Sequence, residues 1–318
     1  MSPVGTPVWV SPNGRVRITA PPGRRIPGVV PSLEELLEDV FDPIKRGPAL
    51  VYLAMKRRTV QDYSLIIWNT PGFVALILQE ILRIYPYIDH EEQIPDDDCL
   101  RVSCAISLFQ PVAKDSRVRV RFLRAETHRY LYPFLNTPKK STNFDKLRLT
   151  SLGIIGFLVK EVDLEAVNFL LQSEVIPMCL HCIEVGTDWC RIAAVFILQK
   201  ILSTDIGMQY TCVPQERFVE INRVLSSLFT LTRNRPSSRL LRRVIYCFYL
   251  FSCNERVANS LYGLLPDALK DESFVYMFRD SVETVNFVRQ VLWNTTRIYN
   301  RYDHLGMIPE PDDTTGLY

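Results

Sequence analysis

The chain has 318 residues, 47% of them hydrophobic and 23% charged, with a formal net charge of +2. That is enough chain for a large core, and the near-neutral balance gives no global electrostatic case for nucleic acid or a membrane surface. No apolar run approaches the ~18 residues of a membrane span, and the first residues carry no apolar leader core, so neither a membrane nor secretion is expected.

Residues 1–31 hold seven prolines and four arginines but no acidic residue. No hydrophobic period runs through PNGRVRITAPPGRRIPG, so this stretch reads as a disordered basic arm, with or without a partner. Helices begin at Ser32, an N-cap serine with Glu34 and Glu35 in the first turn. Apolar helical periods follow at 73–85, 100–114, 118–135, 147–160, 165–184, 189–202, 216–231, 237–251 and 255–265. Strict alternation is scarce, which argues against strands. The last stretch, IPEPDDTTGLY, is acidic and broken by proline, and reads as a loose tail over 296–318. The expected organisation is therefore an arm (1–31), a helical domain (32–295) and this tail.

Self-similarity points to the architecture. At an offset of 47, Val120 falls on Val167, Phe122 on Phe169 and Leu123 on Leu170. Tyr210 follows Val167 by 43 and Val257 follows Tyr210 by 47, and ILQEIL at 77–82 is echoed by ILQKIL at 197–202. A helical period of 43–47 residues is an armadillo or HEAT signature. The predicted fold is thus all-α, an armadillo-repeat solenoid of about six units, each burying its apolar face only by stacking on its neighbours.

Within LRLTSLGIIGFLVK (147–160), an apolar helix keeps Gly153 and Gly156, although each glycine costs about 1 kcal/mol relative to alanine. With Thr150 they form a stripe of small residues at three-residue spacing. The stripe suits a groove into which a partner segment lies; tight packing between helices suits it equally well.

Chemistry is otherwise sparse. GxGxxG, GxxxxGK[ST] and GxSxG are all missing. Cys179, His181, Cys182 and Cys190 lack the second ligand pair that zinc usually needs, so no metal, no cofactor and no catalytic residue is expected. Eight cysteines, mostly inside apolar segments, fit free buried thiols in a reducing compartment. A catalytic pair assembled only in three dimensions would leave no trace at this level.

The segments WNTPGFVALILQEILRIYP, YLYPFL, DKLRLTSLGIIGFLVK, NFLLQSEVIPMCL, FILQKIL, ERF, PSSRLLRRV and LPDALKD together resemble the cell-differentiation (Rcd-like) family. This is the armadillo-repeat subunit of the Ccr–Not mRNA deadenylase complex. The resemblance spans about residues 60–292. It implies a non-catalytic adaptor of the cytoplasm, mRNA-decay foci and nucleus. Such an adaptor docks on the large Not scaffold and recruits mRNA regulators through short peptides. It also leaves single-stranded nucleic acid and a second copy of the chain as partners.

Carried onto this chain, the resemblance assigns a peptide groove to Lys146, Thr150, Gly153, Gly156 and Ala193. It assigns a tryptophan pocket to Pro177, Gln215, Arg217 and Phe218, and a basic groove to Arg148, Arg191, Arg239, Arg242 and Arg243, which a solvated face would explain as well. Lys146 and Gln215 stand where relatives commonly have tyrosine, which marks a divergent paralogue. A cation at Lys146 predicts a partner with an acidic residue near its anchor. The competing function is direct binding of single-stranded nucleic acid along the arginines, which would be steeply salt-dependent.

Overall fold

A computed structural model describes residues 31–303, apart from 91–92, 162, 235–238 and most of 272–280, together with two short strands near the N-terminus; side chains of 297–303 are not described. The expected basic arm and acidic tail lie almost wholly outside these residues. Within the arm, Trp9–Val10 and Val16–Arg17 pair antiparallel. The rest is helical.

The chain divides into two compact units, 1–197 and 198–318. In the first unit, α1 is Leu33–Asp39, α2 Arg46–Lys56, α3 Tyr63–Asn69, α4 Phe73–Leu82, α5 Pro86–Asp89, α6 Asp96–Ser107, α7 Phe109–Lys114 and α8 Ser116–Arg124. A 3-10 turn (Thr127–Leu131) leads into α9 Tyr132–Asn136, α10 Thr142–Val159, α11 Leu164–Gln172 and α12 Val175–Val185. Helix α13 (Asp188–Leu202) carries the boundary. The second unit holds α14 Asp205–Cys212, α15 Gln215–Thr232, α16 Arg239–Ser252, α17 Glu255–Leu264, α18 Asp267–Lys270 and α19 Val282–Asp303. The last helix runs past the boundary expected at 295. Helices α2, α6, α10, α13, α16 and α19 begin at residues 46, 96, 142, 188, 239 and 282, close to the predicted period.

The repeat is clearest in how its short helices start. Asp115 accepts from the Arg117 amide at the start of α8, and Asp163 from those of Glu165 and Ala166 at the start of α11. Thr204 and Asn254 do the same for α14 and α17. Each cap satisfies amides that the helix leaves without a partner. Counting from each cap, the third, fourth and seventh residues then turn inward: Val118, Arg119 and Phe122; Ala166, Val167 and Leu170; Gly207, Met208 and Thr211; Val257, Ala258 and Leu261. All are buried except the partly buried Met208. Aligning the caps Asp115 and Asp163 corrects the sequence alignment by one residue: Phe122 corresponds to Leu170 rather than Phe169. The long periods at 118–135 and 165–184 are also each interrupted, broken by left-handed residues Glu126 (φ 52°) and Glu174 (φ 60°).

In the first unit α10 packs on α6, α7 and α9, and α2 packs on α6. Phe109 and Phe122 meet edge to face at 5.3 Å. Glu80, 2% exposed, is held by Arg46 and Arg101, so the buried carboxylate is fully paired across α2, α4 and α6. In the second unit α16 and α17 pack on α19. All eight cysteines are free; seven are buried and Cys253 is exposed.

Gly207 packs so closely on α13 that a Cβ there would lie 2.0 Å from the Ile201 carbonyl oxygen, whereas nothing lies within 4 Å of a Cβ at Gly263. Gly207→Ala should therefore cost about 1–3 kcal/mol, while Gly263→Ala should be neutral or gain up to about 1 kcal/mol, as read by urea melts. A second prediction concerns pH. The Ser173 hydroxyl donates to the Leu170 carbonyl, so it accepts from His128 Nε2 at 3.3 Å. Burial, helped by Arg129, holds His128 down at about 4. The unfolded chain takes up this proton near pH 6.5 and the fold does not. Stability should be complete above that pH and fall by about 1.4 kcal/mol per unit as pH drops toward 4. His128→Gln should flatten that slope.

Candidate functional site

Helix α10 is capped by Ser141, whose hydroxyl accepts from the Phe144 amide. Its buried face carries Leu147, Leu152, Ile155, Leu158 and Val159. On the opposite side Leu149, Thr150, Gly153, Phe157 and Lys160 follow helical spacing and open onto a cleft of about 880 Å³. Ala193 of α13 closes one wall; the end of α2, the start of α3 and α7 form the others. Val60, Pro111, Leu149, Phe157 and Ala193 supply a partly exposed apolar floor.

Thr150, Gly153 and Ala193 thus stand where the groove was expected. Thr150 is turned mostly inward, its hydroxyl donating to the Lys146 carbonyl. A Cβ on Gly153 would meet only the Gln110 amide nitrogen, at 3.7 Å. The other two groove candidates lie outside the cleft lining. Gly156 does not line the cleft; its face abuts the Phe196 ring, also at 3.7 Å, so this glycine serves helix packing. Lys146 does not line it either: its ammonium donates to Asn143 Oδ1 at 3.1 Å.

The walls are charged. Arg57, Arg58, Lys114, Arg117 and Lys160 face Asp62 and Asp115. Arg117 bridges both carboxylates, at 2.8 Å to Asp62 and 2.7 Å to Asp115. Its hydrogen bonds, with one from Ser64, hold Asp115 well below the usual carboxylate range. Arg57 donates to Gln110 and to the Ala54 carbonyl, and burial lowers its pKa. Arg58, Lys114 and Lys160 have no hydrogen bond or ion pair among the described residues. Sequence reading missed these three. Their signal was position, each at or just beyond the end of an apolar helical stretch.

The remaining candidates separate. Arg148 is fully buried: it pairs with Asp145 and donates to the carbonyls of Thr137 and Lys139, so it presents nothing to a nucleic acid. Arg191 donates to the Ile183 carbonyl and pairs with Asp188 at its exposed rim. In the second unit Arg243 donates to Gln199, while Arg239 and Arg242 are exposed on α16. Phe218 is also buried, edge-on to Phe251 at 5.2 Å, and is core rather than pocket lining. Gln215 and Arg217 are exposed, with the Arg217 guanidinium stacked 3.9 Å over Tyr210. Pro177 is exposed on α12, in the first unit.

Among the described residues no group of three or more His, Cys, Asp or Glu is placed to hold a metal. Cys182 and Cys190 donate to the carbonyls of Leu135 and Asp145, and burial pushes the Cys182 thiol up to about 12. Both are protonated core thiols.

Comparison with known proteins agrees with this architecture. The model of the cell differentiation family, Rcd1-like, matches residues 36–295. The chain is 39% identical over 253 residues to cell differentiation protein rcd1 of Schizosaccharomyces pombe, covering 80% of this chain and 89% of that protein. It is 36% identical over 249 residues to protein CAF40 of Saccharomyces cerevisiae, covering 78% and 66%. A computationally designed armadillo repeat protein for modular peptide recognition superposes with a TM-score of 0.59 at 11% identity, over 83% of this chain and 99% of that one. A designed armadillo protein solved with the peptide (KR)4 gives 0.56 at 12%, over 85% and 100%. At such identities the structural likeness speaks to fold alone.

The two glycines of α10 make a paired test. Gly153→Trp should fill the cleft, leave the melting temperature nearly unchanged and abolish capture of a groove-bound peptide. Gly156→Trp should press on Phe196 and cost about 1–3 kcal/mol. Equal destabilisation by both would show that Gly153 also serves packing alone.

Proposed function

The chain belongs to the Rcd1-like cell differentiation family, and on that premise we propose that it is a non-catalytic adaptor subunit of the Ccr–Not deadenylase complex. It docks on the large Not scaffold and recruits mRNA regulators through short peptides, promoting mRNA decay and translational repression in cytoplasm and nucleus. The observation that carries the peptide role is the α10 cleft: an apolar floor kept open at Gly153 and rimmed in part by three cations, Arg58, Lys114 and Lys160, with no internal partner. An apolar groove with a polar margin is what an inserted helix requires. The cleft's carboxylates favour no catalytic reading. Asp115 is held ionised by Arg117 and accepts from Ser64, which leaves no free general base beside that hydroxyl.

A second reading has its own observation. On α16, exposed Arg242 precedes Tyr246 and Tyr249, whose rings each lie 4.8 Å from Phe287 of α19. Cations followed by rings can bind a single strand. In that case Arg242→Glu should weaken oligonucleotide binding about equally for all sequences, with a reduced salt slope.

The adaptor reading is tested by purifying the tagged full chain from cells and tethering it to a reporter mRNA. The large Not scaffold should co-purify, and the reporter's poly(A) tail should shorten. Absence of the scaffold, with the reporter unaffected, would overturn it.

A further inference from the structure

Three of the cleft's cations are spoken for by nothing in the fold. Lys114 ends α7, Lys160 follows the last residue of α10, and Arg58 lies just beyond α2. All three are exposed and line the same cleft, above the floor of Val60, Leu149, Phe157 and Ala193. The two carboxylates that could have neutralised them are both taken by Arg117. The rim therefore keeps a positive excess beside an apolar surface.

We propose that the cleft selects an amphipathic helix of a partner protein whose apolar face is bordered by Asp or Glu, with Arg58, Lys114 and Lys160 as the selecting residues. The inference rests on the adaptor reading and adds the chemistry of the partner. Two features favour a peptide over nucleic acid here. The floor is mostly aliphatic and Tyr63 is buried with its hydroxyl on the Leu53 carbonyl, so only Phe157 offers a partly open ring for bases. Asp62 and Asp115 also line the wall, where a phosphate backbone would meet them. A helix can place its carboxylates against the rim and its apolar side chains on the floor, since residues three and four apart share a face. Rim charges of this kind act mainly on specificity and on-rate, and are screened by salt.

The probes are three synthetic helices of about 14 residues, some four turns. They share one leucine stripe and carry Glu, Gln or Lys on the flanking positions, and binding to the full chain is followed by fluorescence anisotropy. The Glu helix should bind at least about tenfold tighter than the Lys helix at low salt, with the gap shrinking as salt rises from about 0.05 to 0.5 M. Single Arg58→Gln, Lys114→Gln or Lys160→Gln changes should each cost about twofold to fivefold for the Glu helix only. The triple charge reversal R58E/K114E/K160E should invert the order, and Gly153→Trp should weaken all three helices. Equal binding of the three helices, or a preference untouched by the reversal, overturns the proposal. So does a loss of melting temperature without a change of preference, which would assign the cations to helix-end electrostatics. Tighter binding of oligodeoxythymidylate through the same three cations would overturn it too, as a nucleic-acid channel. Co-purification of the Not scaffold with the triple variant keeps this result separate from the adaptor reading: retention of the scaffold with no helix preference sinks the charge selection alone.

Discussion

The fold depends on where each short helix is made to begin. Successive residues on a helix turn by about 100°, so a start displaced by one position swings the apolar face away from the core. Asp115, Asp163, Thr204 and Asn254 fix that start by accepting amides of the first turn. A cap is worth about 1 kcal/mol. The side chains it directs inward, such as Phe122 and Leu170, are worth about 1.5–3 kcal/mol each when buried. A small local interaction therefore decides how a larger non-local one is made, and it recurs at α8, α11, α14 and α17.

The cleft follows from that order. With α10 packed on α6, α7 and α9, its buried face is committed to the core, and its other face is free to vary. Size then sorts the two glycines. At Gly156 a longer side chain would run onto the Phe196 ring; at Gly153 it would meet only the end of the Gln110 side chain. Identical residues three positions apart thus serve different ends, one closing a helix–helix contact and the other opening a surface.

Much of this was legible in the sequence, and the failures share a cause. The helical period near 45 residues and the small-residue stripe through Thr150 and Gly153 could be read because apolar spacing and glycine placement are local signals, whereas Ala193 came only from the family resemblance. The one-residue error in aligning Phe122 with Phe169 arose because apolar residues are adjacent on these helices; the capping residues Asp115 and Asp163 hold the register. The corners at Glu126 and Glu174 were invisible because glutamate is an ordinary helix former and its residue type marks no left-handed position. Lys146 and Gly156 fall outside the cleft lining, because period alone does not say which neighbour covers the edge of a face.

The arginines show what composition could not foretell. A fold of many short helices leaves many helix-end carbonyls without intrahelical partners, and a guanidinium is well shaped to reach them. Arg46 donates to the Val40 carbonyl after α1, and Arg57 to Ala54 at the end of α2. Arg148 serves Thr137 after α9, Arg191 serves Ile183 in the last turn of α12, and Arg217 serves Tyr210 in the last turn of α14. These cations are structural because acceptors lie within reach. Arg58, immediately after Arg57 in the chain, has none, since Arg57 already takes the α2 end and Arg117 takes the nearby carboxylates. The same residue type becomes cement or contact surface according to whether the fold leaves it an acceptor. A net charge of +2 hides that division: of the basic side chains lining the cleft only Arg117 is paired with carboxylates, and Arg58, Lys114 and Lys160 are left along its rim.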